Sequence, residues 1–320
     1  MLTKVLNWLL PQWARNPLLE YEWFHPRLHD SRRGFIMQLS ALALLLGSAA
    51  LIYAAVTGVA EGGQGFTRQI WQSLYFPTLV LQSLASIAAL LTGAAAFDVE
   101  RRGTTWDNLR ITEIGAGLAL RARWMGILYR LRAPIAALLL VRLIFALGML
   151  VDLTAFGGNY VKMLSADAAT ARVDWQISIV LIALSAIAGA LLPLPMIASF
   201  AALGILLGLT IKEGLFAAII QILVTALVVA FICAGSYALS QVLSEDLKLP
   251  DLAESLLLIG YSAYGDWGLL LMQLGSLGAL WHSVSFGAFT GVGLAGLLLA
   301  QGTLADGMIS LAERIPERRG

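Results

Sequence analysis

The chain has 320 residues, of which 59% are hydrophobic and 13% charged, with a net charge of +1 and a mean hydropathy of +0.80. A soluble domain carries about 25% charged residues, so water is excluded as the main solvent, and no nucleic-acid partner is expected. A single cysteine, Cys233, within an apolar run, excludes an internal disulfide and a thiolate metal site.

In chain order, Met1 to Leu10 has one Lys and a short apolar stretch stopped by Pro11, with no small-residue cleavage site behind it. Leu2, Val5, Leu6, Leu9 and Leu10 recur at helical spacing beside Trp8 and Trp13, the pattern of an amphipathic helix lying in the membrane interface. Residues 1–34 are therefore expected to form an interfacial segment. His25 and His29 are separated by Pro26, which disturbs the helix that would align them, and a solvated role is expected.

Apolar runs long enough to cross a bilayer as helices, which takes about 20 residues, are expected at about 35–58, 72–97, 125–151, 175–209, 214–243 and 281–303. The fold class is thus all-α and polytopic, with a six-helix domain over 35–303 and a tail over 304–320. A further apolar stretch, 252–280, is interrupted by Gly260, Gly265, Asp266 and Gly275, so the region 245–280 reads as short helices dipping into the membrane.

Cationic residues set the orientation, because Lys and Arg stay on the cytoplasmic side. Lys4, Arg15, Arg27, Arg32 and Arg33 precede the first span; Arg101, Arg102, Arg110, Arg121, Arg123, Arg130 and Arg132 cluster between the second and third; Lys212, Arg314, Arg318 and Arg319 complete that side. The opposite loops hold only Arg68, Lys162, Arg172 and Lys248. An even number of crossings with both termini cytoplasmic fits every loop. Trp71, Tyr75, Trp124, Tyr129, Trp175, Tyr237 and Trp281 fall where an aromatic belt belongs, and His282 beside Trp281 is expected there too. The run from Gly93 to Ala96, with Gly189 and Ala190 and the Gly287 to Gly291 pair, allows close helix approach.

Two features inside the spans point toward a transport path. Pro193 and Pro195 remove donors from the fourth span, and the freed carbonyls need a polar neighbour or a cavity. Arg142 in the third span either snorkels to the interface or lines a cavity. No nucleotide-binding G-x-x-x-x-G-K-[ST], metal-binding H-E-x-x-H or hydrolytic G-x-S-x-G motif occurs, so no catalytic residue, metal or cofactor is assigned to this chain and it is not expected to be an enzyme. The spans also lack carboxylates, which argues against an ion-coupled carrier.

The loop over about 98–124 is the longest on the basic side. Gly103 can end the incoming helix, Thr104 or Thr105 can cap a new one, and Trp106, Leu109, Ile111 and Ile114 give it an apolar face. Such a helix lies on the lipid surface or docks a cytoplasmic partner. Here the chain resembles the six-helix permease subunits of ATP-binding-cassette exporters. Glu100-Arg101-Arg102-Gly103-Thr104 is similar to that family's acidic-basic-Gly-Thr entry, and Thr105-Trp106-Asp107-Asn108-Leu109 followed by Thr112 is similar to its coupling-helix pattern. Asn16 to Glu22, then Arg32-Arg33, resembles the family's amphipathic entry. Asn108, where the family has Leu, and Glu113, where it often has Pro, depart from it.

The resemblance implies a bacterial cytoplasmic-membrane permease, with a separate ATPase subunit carrying ATP and magnesium and a second permease copy or paralogue. It also implies docking through Glu100, Arg101, Gly103, Thr104, Trp106, Asp107, Leu109, Arg110 and Thr112, with Arg142, Pro193 and Pro195 as path-lining candidates. The rival readings are a non-transporting scaffold subunit of a larger membrane complex, and a channel or secondary carrier.

Overall fold

A computed structural model describes residues 32–57, 66–96, 115–154, 175–211, 214–243, 250–273 and 290–317. All regular structure among them is helical: α1 (Arg32–Thr57), α2 (Phe66–Ala95), α3 (Gly115–Arg130), α4 (Arg132–Thr154), α5 (Trp175–Leu191), α6 (Pro193–Thr210), α7 (Gly214–Leu243), α8 (Asp251–Tyr264), a 3-10 turn (Leu270–Met272) and α9 (Thr290–Glu317). The chain is an all-α, polytopic membrane protein. A helix satisfies its backbone donors and acceptors internally, which is what a medium without water demands of a spanning segment; Pro77 inside α2 leaves out one such bond.

Among the described residues, five helical stretches are long and apolar enough to cross a bilayer: Arg68–Ala95, Arg132–Thr154, Ile179–Thr210, Ile219–Ala238 and Gly291–Arg314. The first expected span corresponds to α1, whose apolar stretch among the described residues, Ile36–Ile52, is shorter. The third expected span divides at Leu131, so the crossing starts at Arg132 and the preceding α3 is a separate basic helix. The last helix runs to Glu317, well past the expected boundary at 303. This stretch carries Asp306, Glu313 and Arg314. Ala305, Ile309 and Ala312 nevertheless recur at helical spacing and are buried, so the stretch packs on the bundle instead of leaving it.

The core is built around α6, which packs along α2 and α9. A side chain at Gly93 would sit 2.5 Å from the Ala201 carbonyl, and one at Gly208 would sit 2.6 Å from that of Ala94. Only hydrogen fits at these positions. The expected close approach at Gly93 is therefore realised against α6, and small residues replace an aqueous hydrophobic drive as the reason the two helices associate. By contrast α7 exposes Ile222, Leu223 and Leu227, as a lipid-facing helix does.

Two ends of the bundle are distinguished by their residues. The Trp71 end carries the start of α2, the end of α4 and the 3-10 turn; the Arg121 end carries α3 and the end of α9.

Candidate functional site

The fourth expected span shows how the candidate site arises. Pro193 opens α6 directly after α5, and Leu192 between them keeps helical dihedrals, so the two helices form one continuous path. Because Pro193 has no N–H, the carbonyl four residues earlier, Gly189, loses its helical donor. The Arg142 guanidinium donates to that carbonyl. For the carbonyl freed by Pro193, the polar neighbour is thus Arg142. Arg142 is fully buried and does not snorkel to the interface.

The same guanidinium serves a second break. Between α8 and the 3-10 turn the chain unwinds over residues 265–269, with Trp267 at φ 55° and Gly268 at φ 75°, both in the left-handed region. An unwound segment exposes carbonyls that no helical donor reaches. Arg142 donates to the carbonyls of Trp267 at 2.6 Å and Asp266 at 3.1 Å, and to Gln82 Oε1 at 2.8 Å. Gln82 in turn donates to the Gly265 carbonyl at 3.3 Å, and Trp71 Nε1 to that of Leu269 at 3.3 Å. A planar guanidinium with five donors can hold several acceptors at once, which an ammonium cannot do in fixed geometry. Gly189 also has to be small here, since a side chain would meet the Gly268 carbonyl at 3.0 Å.

Asp266 stabilises the turn from within. Its carboxylate accepts from the backbone N–H of Gly268 at 3.0 Å and of Leu270 at 2.8 Å, and from the Tyr75 hydroxyl at 3.3 Å. The Tyr75 and Tyr261 hydroxyls lie 3.3 Å apart, and Tyr261 pairs with Ser236 of α7 at 2.7 Å. Gln82, Arg142 and Asp266 are each 0% exposed. One cationic and one anionic group in the same enclosed cluster offset each other, which is the condition for burying either. Arg142 lies about 15 Å along α4 from Arg132, so this polar cluster sits near the middle of the crossing.

Asp266 was visible in the sequence only as an interruption of the 252–280 stretch. The expectation that the spans lack carboxylates does not hold: Asp152 lies in the last turn of the crossing on α4, Asp306 and Glu313 lie on the crossing of α9, and the segment after α8 delivers Asp266 into the bundle interior. A carboxylate available for ion coupling is therefore present in the bundle.

At the opposite end, α3 is fixed to two neighbours. Arg121 Nε meets Glu313 Oε1 at 2.7 Å, with Asp306 at 3.9 Å from Arg121 Nη2, and Trp124 Nε1 donates to the Ala198 carbonyl at 2.8 Å. The Glu313 hydrogen bond holds the Arg121 pKa above its usual value. The residues of the proposed docking segment, Glu100, Arg101, Gly103, Thr104, Trp106, Asp107, Leu109, Arg110 and Thr112, lie outside the described residues. Among the described residues no group of His, Cys, Asp and Glu is arranged to hold a metal ion.

No protein-family model, curated protein or solved structure matches the chain.

Proposed function

We propose that this chain is the membrane permease subunit of an ATP-binding-cassette exporter, working with a separate ATPase and a second permease copy. The observation that carries the reading is the ordered resemblance over Glu100 to Thr112, which falls in chain order between α2 and α3. The packing that follows this segment supports it. Because α3 is bonded to α6 through Trp124 and to α9 through Arg121, a push on the preceding loop would reach three helices together. ATP binding by the partner would supply the push, and coupling requires that the partner bind the two conformations of the permease with different affinity.

In this reading Trp106 and Leu109 are the apolar anchors on the ATPase, and Arg110 sets the register. The double variant Trp106→Ala with Leu109→Ala is expected to weaken ATPase retention by about 30-fold or more, the loss typical of a hot-spot residue. Copurification from the native membrane measures it. Undiminished retention together with undiminished ATP-driven transport in vesicles would remove the docking assignment.

A second reading, a secondary carrier, is favoured by one observation: the buried Asp266 carboxylate at mid-bundle, on a residue whose backbone carbonyl accepts from Arg142. Buried ionisable groups inside a membrane bundle serve ion and proton relays. Flux driven by an ion gradient without ATP, abolished by Asp266→Asn, would select this reading over the exporter.

A further inference from the structure

The Trp71 end of the bundle encloses a cavity of about 220 Å³, lined by neither Arg142 nor Asp266. Phe145 and Met149 of α4 and Met272 of the 3-10 turn form its buried floor, with Trp71 of α2 as a wall. Leu147 and Val151 form a lip that is 52% and 61% exposed, so the opening faces the bilayer. The polar lining residues are Asp152, in the last turn of α4, and Gln273, just past the 3-10 turn. The cavity is therefore apolar in its depth and polar where α4 ends.

That layout matches one kind of occupant. Water needs two to four polar partners and finds none against the floor, whereas a hydrocarbon chain gains dispersion contacts on every side. At about 30 Å³ per water, the space equals roughly seven waters, enough for part of one acyl chain and too small for another helix. The mouth carries a carboxylate, an acceptor that favours an ammonium donor over a purely anionic headgroup.

We propose that this cavity binds an acyl chain of a single phospholipid from the leaflet at the Trp71 end, with the lipid's amine-bearing headgroup held at Asp152. The site is independent of whether an ATPase docks at the other end.

The test uses the full chain reconstituted in nanodiscs of equal phosphatidylethanolamine and phosphatidylglycerol, released into the gas phase and weighed intact. One retained phosphatidylethanolamine is expected, several-fold in excess over phosphatidylglycerol. Leu147→Trp with Val151→Trp should lower its occupancy about fivefold or more. Leu140→Trp with Leu143→Trp, equally lipid-exposed on the same helix but outside the cavity, should leave it unchanged. Asp152→Asn, which leaves the apolar walls intact, should abolish the preference between the two lipids while a lipid is still retained. Absence of a retained lipid on the unaltered chain, unchanged occupancy after filling the cavity, or equal retention of both lipids by the unaltered chain each overturns the proposal.

Discussion

Arg121 and Arg142 lie on α3 and α4, two helices separated only by Leu131, and are held in opposite ways. Arg121 is one-third exposed and bonds a carboxylate directly. Arg142 is sealed from solvent and spends its donors on backbone carbonyls left open by Pro193 and by the unwound turn, with Gln82 as the one side-chain acceptor. Exposed charges pair with charges that water would otherwise solvate at little cost, whereas a buried charge persists only where the fold has made acceptors that nothing else can reach. The first arginine decorates a fold that exists without it. The second completes one that does not.

The sharpest way to break this contrast is to remove each arginine in turn. Arg142→Leu strands the Gly189 and Trp267 carbonyls, leaves the Asp266 carbonyl only its bond from the Leu269 N–H, and leaves the Asp266 carboxylate without a compensating charge. A loss of about 3–5 kcal/mol is expected, the range for breaking a buried charged network, and SDS-titration unfolding in bicelles measures it. Arg142→Lys should recover only part, because one ammonium cannot span acceptors on α2, α5 and the turn. Stability within about 0.5 kcal/mol of the unaltered protein for Arg142→Leu would mean that the carbonyls find other donors and that the cluster is not a structural keystone.

A smaller effect is expected at Asp266. Asn is isosteric but offers a single acceptor oxygen where the carboxylate takes Gly268 and Leu270 N–H on separate atoms. One buried donor is then unpaired, at a cost of about 1–3 kcal/mol. A difference between this loss and that of Arg142→Leu separates the turn's internal bonding from its attachment to the bundle. If the two losses are equal, the distinction drawn between capping the turn and anchoring it is void.

Much of this architecture is legible in the amino-acid sequence, and the boundary of what is legible has a physical reason. Hydropathy places the spans because the bilayer imposes a length on each one locally. Pro193 announces a carbonyl in need of a donor, since the proline rule acts within one helical turn. It does not announce which donor, because Arg142 is distant in the chain and only packing joins them. The Arg142 alternatives, interface or cavity, both missed a third state: a guanidinium enclosed by backbone. Asp266 escapes notice for the same reason: its segment reads as short helices dipping into the membrane, and only packing brings the donors on α2 and α4 that answer its carbonyls. The helix α9 runs past the expected boundary at 303 because the buried face of Ala305, Ile309 and Ala312 is too sparse to register as an apolar run.

The smallest expected effect sharpens the contrast from the other side. Arg121→Gln removes the bond to Glu313, whose side chain is 24% exposed, and the weaker contact to Asp306, which is 58% exposed. Gln keeps a donor near Glu313, and both carboxylates remain open to water, so a loss of about 1 kcal/mol or less is expected. Because the pair is partly solvated, the difference between the unaltered chain and the Arg121→Gln variant should shrink further as salt is raised toward 1 M, where screening acts over about 3 Å. The difference for Arg142→Leu should not change with salt, since ions do not reach the cluster. A salt-independent loss of several kcal/mol at Arg121 would show that α3 depends on its ion pair as α4 depends on Arg142, and the contrast between the two ends would have to be abandoned.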